Sequence, residues 1–229
     1  MRSLNAVAAH EQFIASGTYH QFQGQTATGF IESWTQHDPG AGSRLTRIDQ
    51  DARQTEGWTR LVEVLQNPEG DIERCKIQTN HSKPSARFRM MKTDYSFLDG
   101  YVQVGRTING ETQYHEIELP PNSAVRLIDY SLFWGLALRQ AEQADVAERP
   151  VFVPFNRHDM EPGMVSIGTL PQITDKSTEI IGVAGRELEA TRYVTLGKRV
   201  IWLDNWGVPL RINQTTGRLS TVLHDYAHR

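Results

Sequence analysis

The stretch Arg186–Asn213 constrains the fold most, because it contains three short runs of apolar residues separated by turn residues. The turns fall at Gly197-Lys198 and at Asn205–Gly207. In the last run, Val208–Asn213, apolar residues alternate with others, which is typical of a strand with one buried and one solvated face. Val200–Leu203 is apolar throughout and is therefore expected to be covered on both faces. The stretch predicts three neighbouring strands within a buried sheet.

Strand signals also fill the N-terminal half of the chain. Asn109-Gly110 stands between two apolar runs and is a strong signal for a hairpin turn. Strands are predicted at Phe13–Gln23, Thr26–Thr35, Arg44–Asp49, Gly57–Leu65, Asp71–Gln78, Ala86–Met91, Tyr95–Arg106 and Thr112–Leu119. Later strands are predicted at Pro150–Phe155, Met164–Thr169 and Glu179–Val183, with Leu219–Leu223 as a final edge strand.

Between these two groups of strands the apolar pattern changes to that of a helix. Val125, Ile128, Leu132 and Leu136 repeat at helical spacing, which predicts one helix or two short ones within Ser123–Gln143. The apolar stripe of this segment needs a surface to cover, and the concave side of a curved sheet provides one. We therefore predict an α+β, mostly β fold, a single half-barrel domain over residues 1–229. Its curved antiparallel sheet of roughly ten or more strands would wrap around the helical segment at 123–143.

Composition argues against several classes of function. The net charge is −3 and the isoelectric point is near 6.2, so the chain lacks the positive field that nucleic-acid binding requires. Cys75 is the only cysteine, which rules out an internal disulfide and any multi-thiolate zinc site. No stretch approaches the roughly 20 apolar residues of a membrane span, and no signal-peptide run precedes His10. We expect a cytoplasmic protein without stable membrane insertion.

Known catalytic and cofactor motifs are missing from the sequence. It contains no phosphate-binding loop, nucleophile elbow, dinucleotide fingerprint or zinc-protease motif. The eight histidines do not form a convincing set of metal ligands, although His224 and His228 are four residues apart near the end of the chain. We predict no metal site and no cofactor.

The segment Val200–Ile212, VIWLDNWGVPLRI, resembles the end of a known superfamily of folds. These are the half-barrels of bacterial outer-membrane lipoprotein carriers, the LolA/LolB-like fold. Related bacterial domains of unknown function and a violacein-pathway enzyme that rearranges an indole dimer without a cofactor share this pattern. A weaker likeness covers Ser16–Trp34. The resemblance implies a long curved antiparallel sheet plugged by a helical segment, and it carries limited weight for function.

Strand parity selects the candidate site residues. His115 shares a face with Ile117 and Leu119, so it is either a hydrogen-bonded core histidine or a base in a pocket. Arg87 and Arg89 alternate with apolar residues, which is typical of a solvated face, but on an inner face they would bind an anionic group. The residues predicted to supply apolar walls for a ligand are Tyr19, Trp34 and Tyr101.

These observations leave three functions open. The preferred one is binding of an apolar or amphipathic small molecule in the concave face of the half-barrel. The second is a cofactor-independent enzyme acting on an aromatic or polyketide-like metabolite, in which His115 would be catalytic. The third is an interaction module with a filled interior. A homodimer stays open as an assembly.

Overall fold

The computed structural model describes residues 1–83, 89–120, 123–127, 129–143, 151–154, 165–214 and 218–229. Strands make up most of the described residues, which confirms the mostly β class. The strands before the helical segment are β1 (Gln12–Gln23), β2 (Thr26–Asp38), β3 (Arg44–Asp51), β4 (Trp58–Gln66), β5 (Ile72–His81), β6 (Met90–Leu98), β7 (Tyr101–Ile108), β8 (Glu111–Glu118) and β9 (Ala124–Val125). A 3-10 turn, Ser131–Phe133, then leads into helix α1 (Trp134–Gln143). The last strands are β10 (Val151–Pro154), β11 (Val165–Gly168), β12 (Ile173–Val183), β13 (Arg186–Thr195), β14 (Arg199–Leu203), β15 (Pro209–Gln214) and β16 (Leu219–His228).

Thirteen of the strands form one antiparallel sheet. Their spatial order is β12-β13-β14-β15-β16-β1-β2-β3-β4-β5-β6-β7-β8. The sheet is curved and not closed, with β12 and β8 at its edges, so it has the predicted half-barrel shape. The short strands β9, β10 and β11 form a separate three-stranded sheet.

One face of the main sheet, which we call the inner face, carries the apolar core. Trp34, Ile48, Val62 and Ile77 are successive register partners across β2–β5, and each is 1% exposed. The helical segment packs against the same face and covers it. Its buried side chains are Tyr130, Leu132, Phe133, Trp134, Ala137 and Leu138. The predicted packing of a helical segment against the sheet is therefore confirmed.

The helix is shorter than the sequence predicts. Helical structure begins at Ser131, whereas Ala124–Val125 pairs in parallel with β10. Helical structure predicted around Val125 is therefore wrong, because helical spacing of apolar residues does not exclude a short strand. The alternative of two short helices broken near Asp129–Ser131 is correct for its second helix. In the described part of the chain no helix is long and apolar enough to cross a membrane.

Two predicted strand assignments are also wrong. The break placed between Met91 and Tyr95 lies instead at Asp99-Gly100, where Gly100 has a φ of +78°. Asp-Gly is a favoured hairpin pair because it tolerates positive φ. The C-terminal strand, predicted to be an edge, extends over Leu219–His228 and pairs with both β15 and β1.

The first residues of the chain cover part of the outer face of the sheet. Arg47 of β3 is 2% exposed there, and both oxygens of Glu11 accept its guanidinium hydrogens at 2.6 and 2.8 Å. Because Arg47 stabilises the carboxylate, the pKa of Glu11 falls from 4.5 to about 2. Arg2 also donates a side-chain hydrogen bond to Asp49, and Asn5 donates one to Glu63. The outer face of β3 and β4 is thereby shielded from solvent.

Helix α1 rests directly on the backbone of the turn between β14 and β15. A methyl group at Gly135 would lie 1.8 Å from the carbonyl oxygen of Gly207. No side-chain atom can lie that close to a backbone oxygen, so only glycine lets the helix approach the turn this closely. The contact places the start of the helix against the Asp204–Gly207 turn.

Replacing Gly135 by alanine is expected to lower the free energy of unfolding by about 1–3 kcal/mol, the usual cost of overpacking. This loss is the net effect, because the higher helix propensity of alanine alone would raise the free energy of unfolding by about 1 kcal/mol. Urea unfolding measures the net effect. Gly182→Ala is the matched control, because a methyl group there meets nothing within 4 Å. A Gly135→Ala protein as stable as the control would contradict the described helix seat.

Candidate functional site

Three aromatic rings meet on the inner face where β1, β2 and β16 lie side by side. Trp34 of β2 and Tyr226 of β16 are both register partners of Gly17 on β1. Tyr19 follows at the next inner position of β1. The ring centroids are 6.4 Å apart for Tyr19 and Trp34, and 6.3 Å apart for Trp34 and Tyr226. We call these three residues the aromatic row.

Glycine at position 17 makes the aromatic row possible. A methyl group on Gly17 would lie 2.8 Å from Cζ2 of Trp34 and 2.9 Å from the carbonyl oxygen of Asp225. The indole ring therefore lies directly over the backbone of β1. Any larger residue at this position would displace Trp34 from its place in the row.

Two hydrogen-bond donors of the aromatic row are buried without an acceptor. Tyr19 is fully buried and Trp34 is 1% exposed. Neither the Tyr19 hydroxyl nor Nε1 of Trp34 has a hydrogen-bond partner among the described residues. An unsatisfied buried donor costs about 1–3 kcal/mol, so native cores contain few of them. Tyr19 and Trp34 bring two such donors side by side on the inner face.

A buried carboxylic acid lies beside the aromatic row. Glu32 of β2 is the direct partner of Tyr19 and is 1% exposed. One of its oxygens accepts a hydrogen bond from Nε2 of Gln50 and the other from the backbone N–H of Ser131, both at 2.8 Å. Burial raises the pKa of Glu32 from 4.5 to about 7, although these hydrogen bonds lower it in part. The side chain therefore exchanges its proton near neutral pH.

A polar network continues from Glu32 across the inner face. Gln50 also donates to the carbonyl oxygen of Asp129 at 2.9 Å and accepts a hydrogen bond from Arg60 at 3.4 Å. Arg60 in turn donates to Thr79 and lies 4.7 Å above the ring of Trp58. The network ties the segment before helix α1 to strands β2–β5.

The aromatic row ends at an open pocket of about 470 Å³, which we call the mouth pocket. The pocket lies between the tip of the β12–β13 hairpin, the β14–β15 turn and the end of β16. Tyr226 forms part of its wall, together with the apolar side chains of Val183, Leu188 and Trp206. Its charged lining consists of Arg186, Glu189, Asp204 and Asp225.

Asp204 fixes the wall of the mouth pocket. One carboxylate oxygen accepts the backbone N–H groups of Trp206 and Val208 at 2.9 and 2.7 Å. The other accepts the hydroxyl of Tyr226 at 2.7 Å. Burial and this hydrogen bond raise the pKa of Tyr226, so its hydroxyl stays protonated and keeps donating.

Trp206 is a large aromatic side chain that the protein leaves uncovered. It is 63% exposed at the rim of the mouth pocket. One face of its ring stacks on His228, with centroids 4.4 Å apart and an interplanar angle of 21°. This stack holds the ring in place at the pocket opening.

The structure separates the predicted site residues into two groups. Tyr19 and Trp34 lie together in the aromatic row. His115 lies several strands away on β8, opposite the buried Val104, and its Nε2 has no hydrogen-bond partner among the described residues. His115 lies on the inner face, because Ile117 and Leu119 of the same parity pack against the core. Its role as a catalytic base stays a prediction.

The other predicted residues do not join either group. Arg89 is exposed just before β6. His115 pairs through Val104 with Tyr95 of β6, and strand geometry places Arg89 about 20 Å along the strand direction from Tyr95. Tyr101 alternates with the buried Val102 and Val104, so it belongs to the outer face. Arg87 lies outside the described residues. The described residues contain no group of three or more His, Cys, Asp or Glu side chains that could hold a metal ion.

Sequence reasoning missed Glu32, Asp204, Trp206 and Tyr226. Glu32 carried a usable signal, because it shares strand parity with Trp34 and a charged residue on an apolar face is unusual. Tyr226 carried no usable signal in the sequence. A β-bulge between Thr18 and Tyr19 shifts the register of β16, so that Leu223 and Tyr226 both reach the inner face despite their odd spacing.

Comparison with known proteins supports the fold alone. No protein-family model and no curated protein sequence matches the chain. Among solved structures it is similar to a beta-barrel-like protein of the domain of unknown function DUF1849 from Brucella abortus, with a TM-score of 0.54 and 9% identity. The match covers 96% of this chain and all of that one. The chain therefore has a beta-barrel-like fold with a large antiparallel sheet.

The pKa of Glu32 predicts a specific dependence of stability on pH. Because its pKa is about 7 in the folded protein and 4.5 in a free side chain, the folded state binds the proton more tightly. This contribution is complete below about pH 4.5 and is lost as the pH rises to about 7. Relative to Glu32→Gln, the parent protein should lose about 3 kcal/mol of unfolding free energy over that range.

Urea unfolding of both proteins at several pH values between about 4.5 and 8 measures this difference. Other titrating groups, including His20 and His37, are common to both proteins and cancel. A stability difference that stays constant with pH would mean that Glu32 is ionised throughout.

Proposed function

We propose that the protein binds an apolar or amphipathic small molecule in the mouth pocket. The observation that carries this proposal is the exposed ring of Trp206 over a pocket of about 470 Å³. Small-molecule sites in proteins commonly measure roughly 300–1,000 Å³ and combine apolar walls with a few fixed polar groups. Trp206, Leu188 and Val183 provide the walls, and Asp204 and Arg186 provide the polar groups.

The anchoring of the pocket supports a binding role. A flexible wall would have to be ordered each time a ligand bound, which lowers affinity. Here Asp204 holds the turn that carries Trp206 through two backbone hydrogen bonds and holds Tyr226 through a third. The stack of Trp206 on His228 orders the ring as well. The pocket is thus largely preformed.

The sequence resemblance agrees with this proposal. Asp204 and Trp206 lie within Val200–Ile212, the stretch that resembles the lipoprotein-carrier half-barrels. In that interpretation the protein is a half-barrel carrier whose ligand enters beside the β14–β15 turn. The likeness to the solved beta-barrel-like structure is compatible with a ligand-binding barrel and identifies no ligand.

Glu32 favours a second candidate function, a cofactor-independent enzyme. A buried carboxyl group with a pKa of about 7 can accept or donate a proton at neutral pH, as a general base or acid must. In this interpretation Glu32, rather than His115, would transfer the proton, and the aromatic row would hold an aromatic or polyketide-like substrate. Turnover of such a compound that is lost in Glu32→Gln, with binding retained, would favour the enzyme over the carrier.

Replacing Trp206 by alanine tests the binding proposal with N-phenyl-1-naphthylamine, an uncharged apolar fluorescent probe. Loss of the exposed ring should weaken binding about tenfold, which corresponds to roughly 1.4 kcal/mol. Fluorescence titration of the parent and the variant measures the two dissociation constants.

Tyr114→Ala is the matched control, because Tyr114 is 81% exposed and lines an open depression on the outer face of β6–β8. It should leave the dissociation constant within about twofold of the parent value. Equal effects of the two substitutions would contradict a specific mouth pocket. An absence of binding to the parent would favour an interaction module.

A further inference from the structure

The two unsatisfied donors of the aromatic row point to a specific chemical group. Tyr19 and Trp34 stack with an interplanar angle of 27°, and the indole N–H is near enough to the phenol to lower its pKa. The two groups nevertheless form no hydrogen bond of normal geometry. Neither donor has another partner among the described residues, and both lie in a part of the core that is closed to bulk solvent. A single oxygen atom with two lone pairs can satisfy both.

The charges around this donor pair limit what can bind there. Burial raises the pKa of Tyr19 far above its usual value, and the negative charges of Glu32 and Asp204 raise it further. The negative charge of Asp204, together with that of Glu32 at pH values above about 7, disfavours a carboxylate or phosphate at this position. A cationic ammonium group has no lone pair to accept from the donors. The acceptor that fits is an uncharged oxygen, and a carbonyl oxygen has two lone pairs with which to accept from the two donors.

Tyr226 connects the donor pair to the mouth pocket. Its ring lines the pocket and also contacts Trp34. Unlike the two inner members of the aromatic row it is only partly buried. The carbonyl end of a ligand would reach Trp34 and Tyr19 by displacing the Tyr226 ring, which breaks the hydrogen bond from Tyr226 to Asp204.

We propose that the Tyr19 hydroxyl and Nε1 of Trp34 form a subsite for an uncharged carbonyl oxygen of the ligand in the mouth pocket. This inference rests on the proposed function. It defines the ligand class as ketones, esters or amides with an apolar or aromatic body, and it excludes fatty-acid anions. It also differs from the sequence prediction, in which Arg87 and Arg89 would hold an anionic group.

Two fluorescent naphthalenes with the same body test this subsite. One is the ketone 6-propionyl-2-dimethylaminonaphthalene, and the other is 6-propyl-2-dimethylaminonaphthalene, in which a methylene replaces the carbonyl. The parent protein should bind the ketone at least about tenfold more tightly, since two hydrogen bonds distinguish them. A third compound, 6-dimethylamino-2-naphthoate, should bind more weakly than the ketone because it is an anion.

Tyr19→Phe removes one donor and keeps the ring. It should reduce the preference for the ketone about fivefold or more, leave binding of the propyl compound unchanged, and leave the protein at least as stable. Tyr95→Phe is the control, since Tyr95 is equally buried but lies on β6. This variant should prefer the ketone over the propyl compound by the same factor as the parent protein. Trp206→Ala should weaken both compounds to the same extent.

Each outcome has a distinct meaning. If the parent binds both naphthalenes equally, or if Tyr19→Phe keeps the full preference, the donors are satisfied by a trapped water and the carbonyl subsite is wrong. Tighter binding of the naphthoate would overturn it as well. If neither neutral compound binds the parent protein, the proposed ligand site in the mouth pocket is wrong, and the carbonyl subsite is wrong with it.

Discussion

The turn Asp204–Gly207 is the constraint on which the rest of the structure depends. Its carboxylate closes the turn by accepting two backbone N–H groups and holds Tyr226 by accepting a third hydrogen. Its last residue, Gly207, has a φ of +80° and receives the start of helix α1 at Gly135. The turn therefore fixes the helix, the end of β16 and the mouth pocket together.

The inner face combines a well-satisfied acid with two unsatisfied donors. Glu32 has a hydrogen bond to each oxygen, yet burial still keeps its proton affinity high. Tyr19 and Trp34 lie next to it and have no acceptor among the described residues. A core selected for stability alone would favour Phe at position 19, since an apolar group avoids the cost of an unpaired hydroxyl. These two polar atoms are the ones that the proposed carbonyl subsite would use.

The sequence predicted the strands well, and it predicted side-chain partners poorly. The Asn109-Gly110 turn is confirmed by φ values of +51° and +95°, because turn chemistry is local. The inner orientation of His115 followed from parity, which is also local. Tyr101 was assigned to a wall of the concavity, although parity within β7 places it on the other face of the sheet from the buried Val102. The aromatic row depends on which strands become neighbours and on a β-bulge, and neither property is encoded in a single stretch of sequence.

The pairing of β1 with β16 has a consequence for how the protein is made. Strands β1–β8 pair mainly with their neighbours in sequence, so they can assemble in order as the chain leaves the ribosome. The free edge of β1 must wait for the last strand, because Ala15 pairs with His228. Until then Gly17 and Tyr19 lie on an open strand edge, where contacts with other chains compete with folding. The wall of the mouth pocket is completed only once β16 has been made, so a nascent chain can already have most of its sheet while the candidate site is still missing.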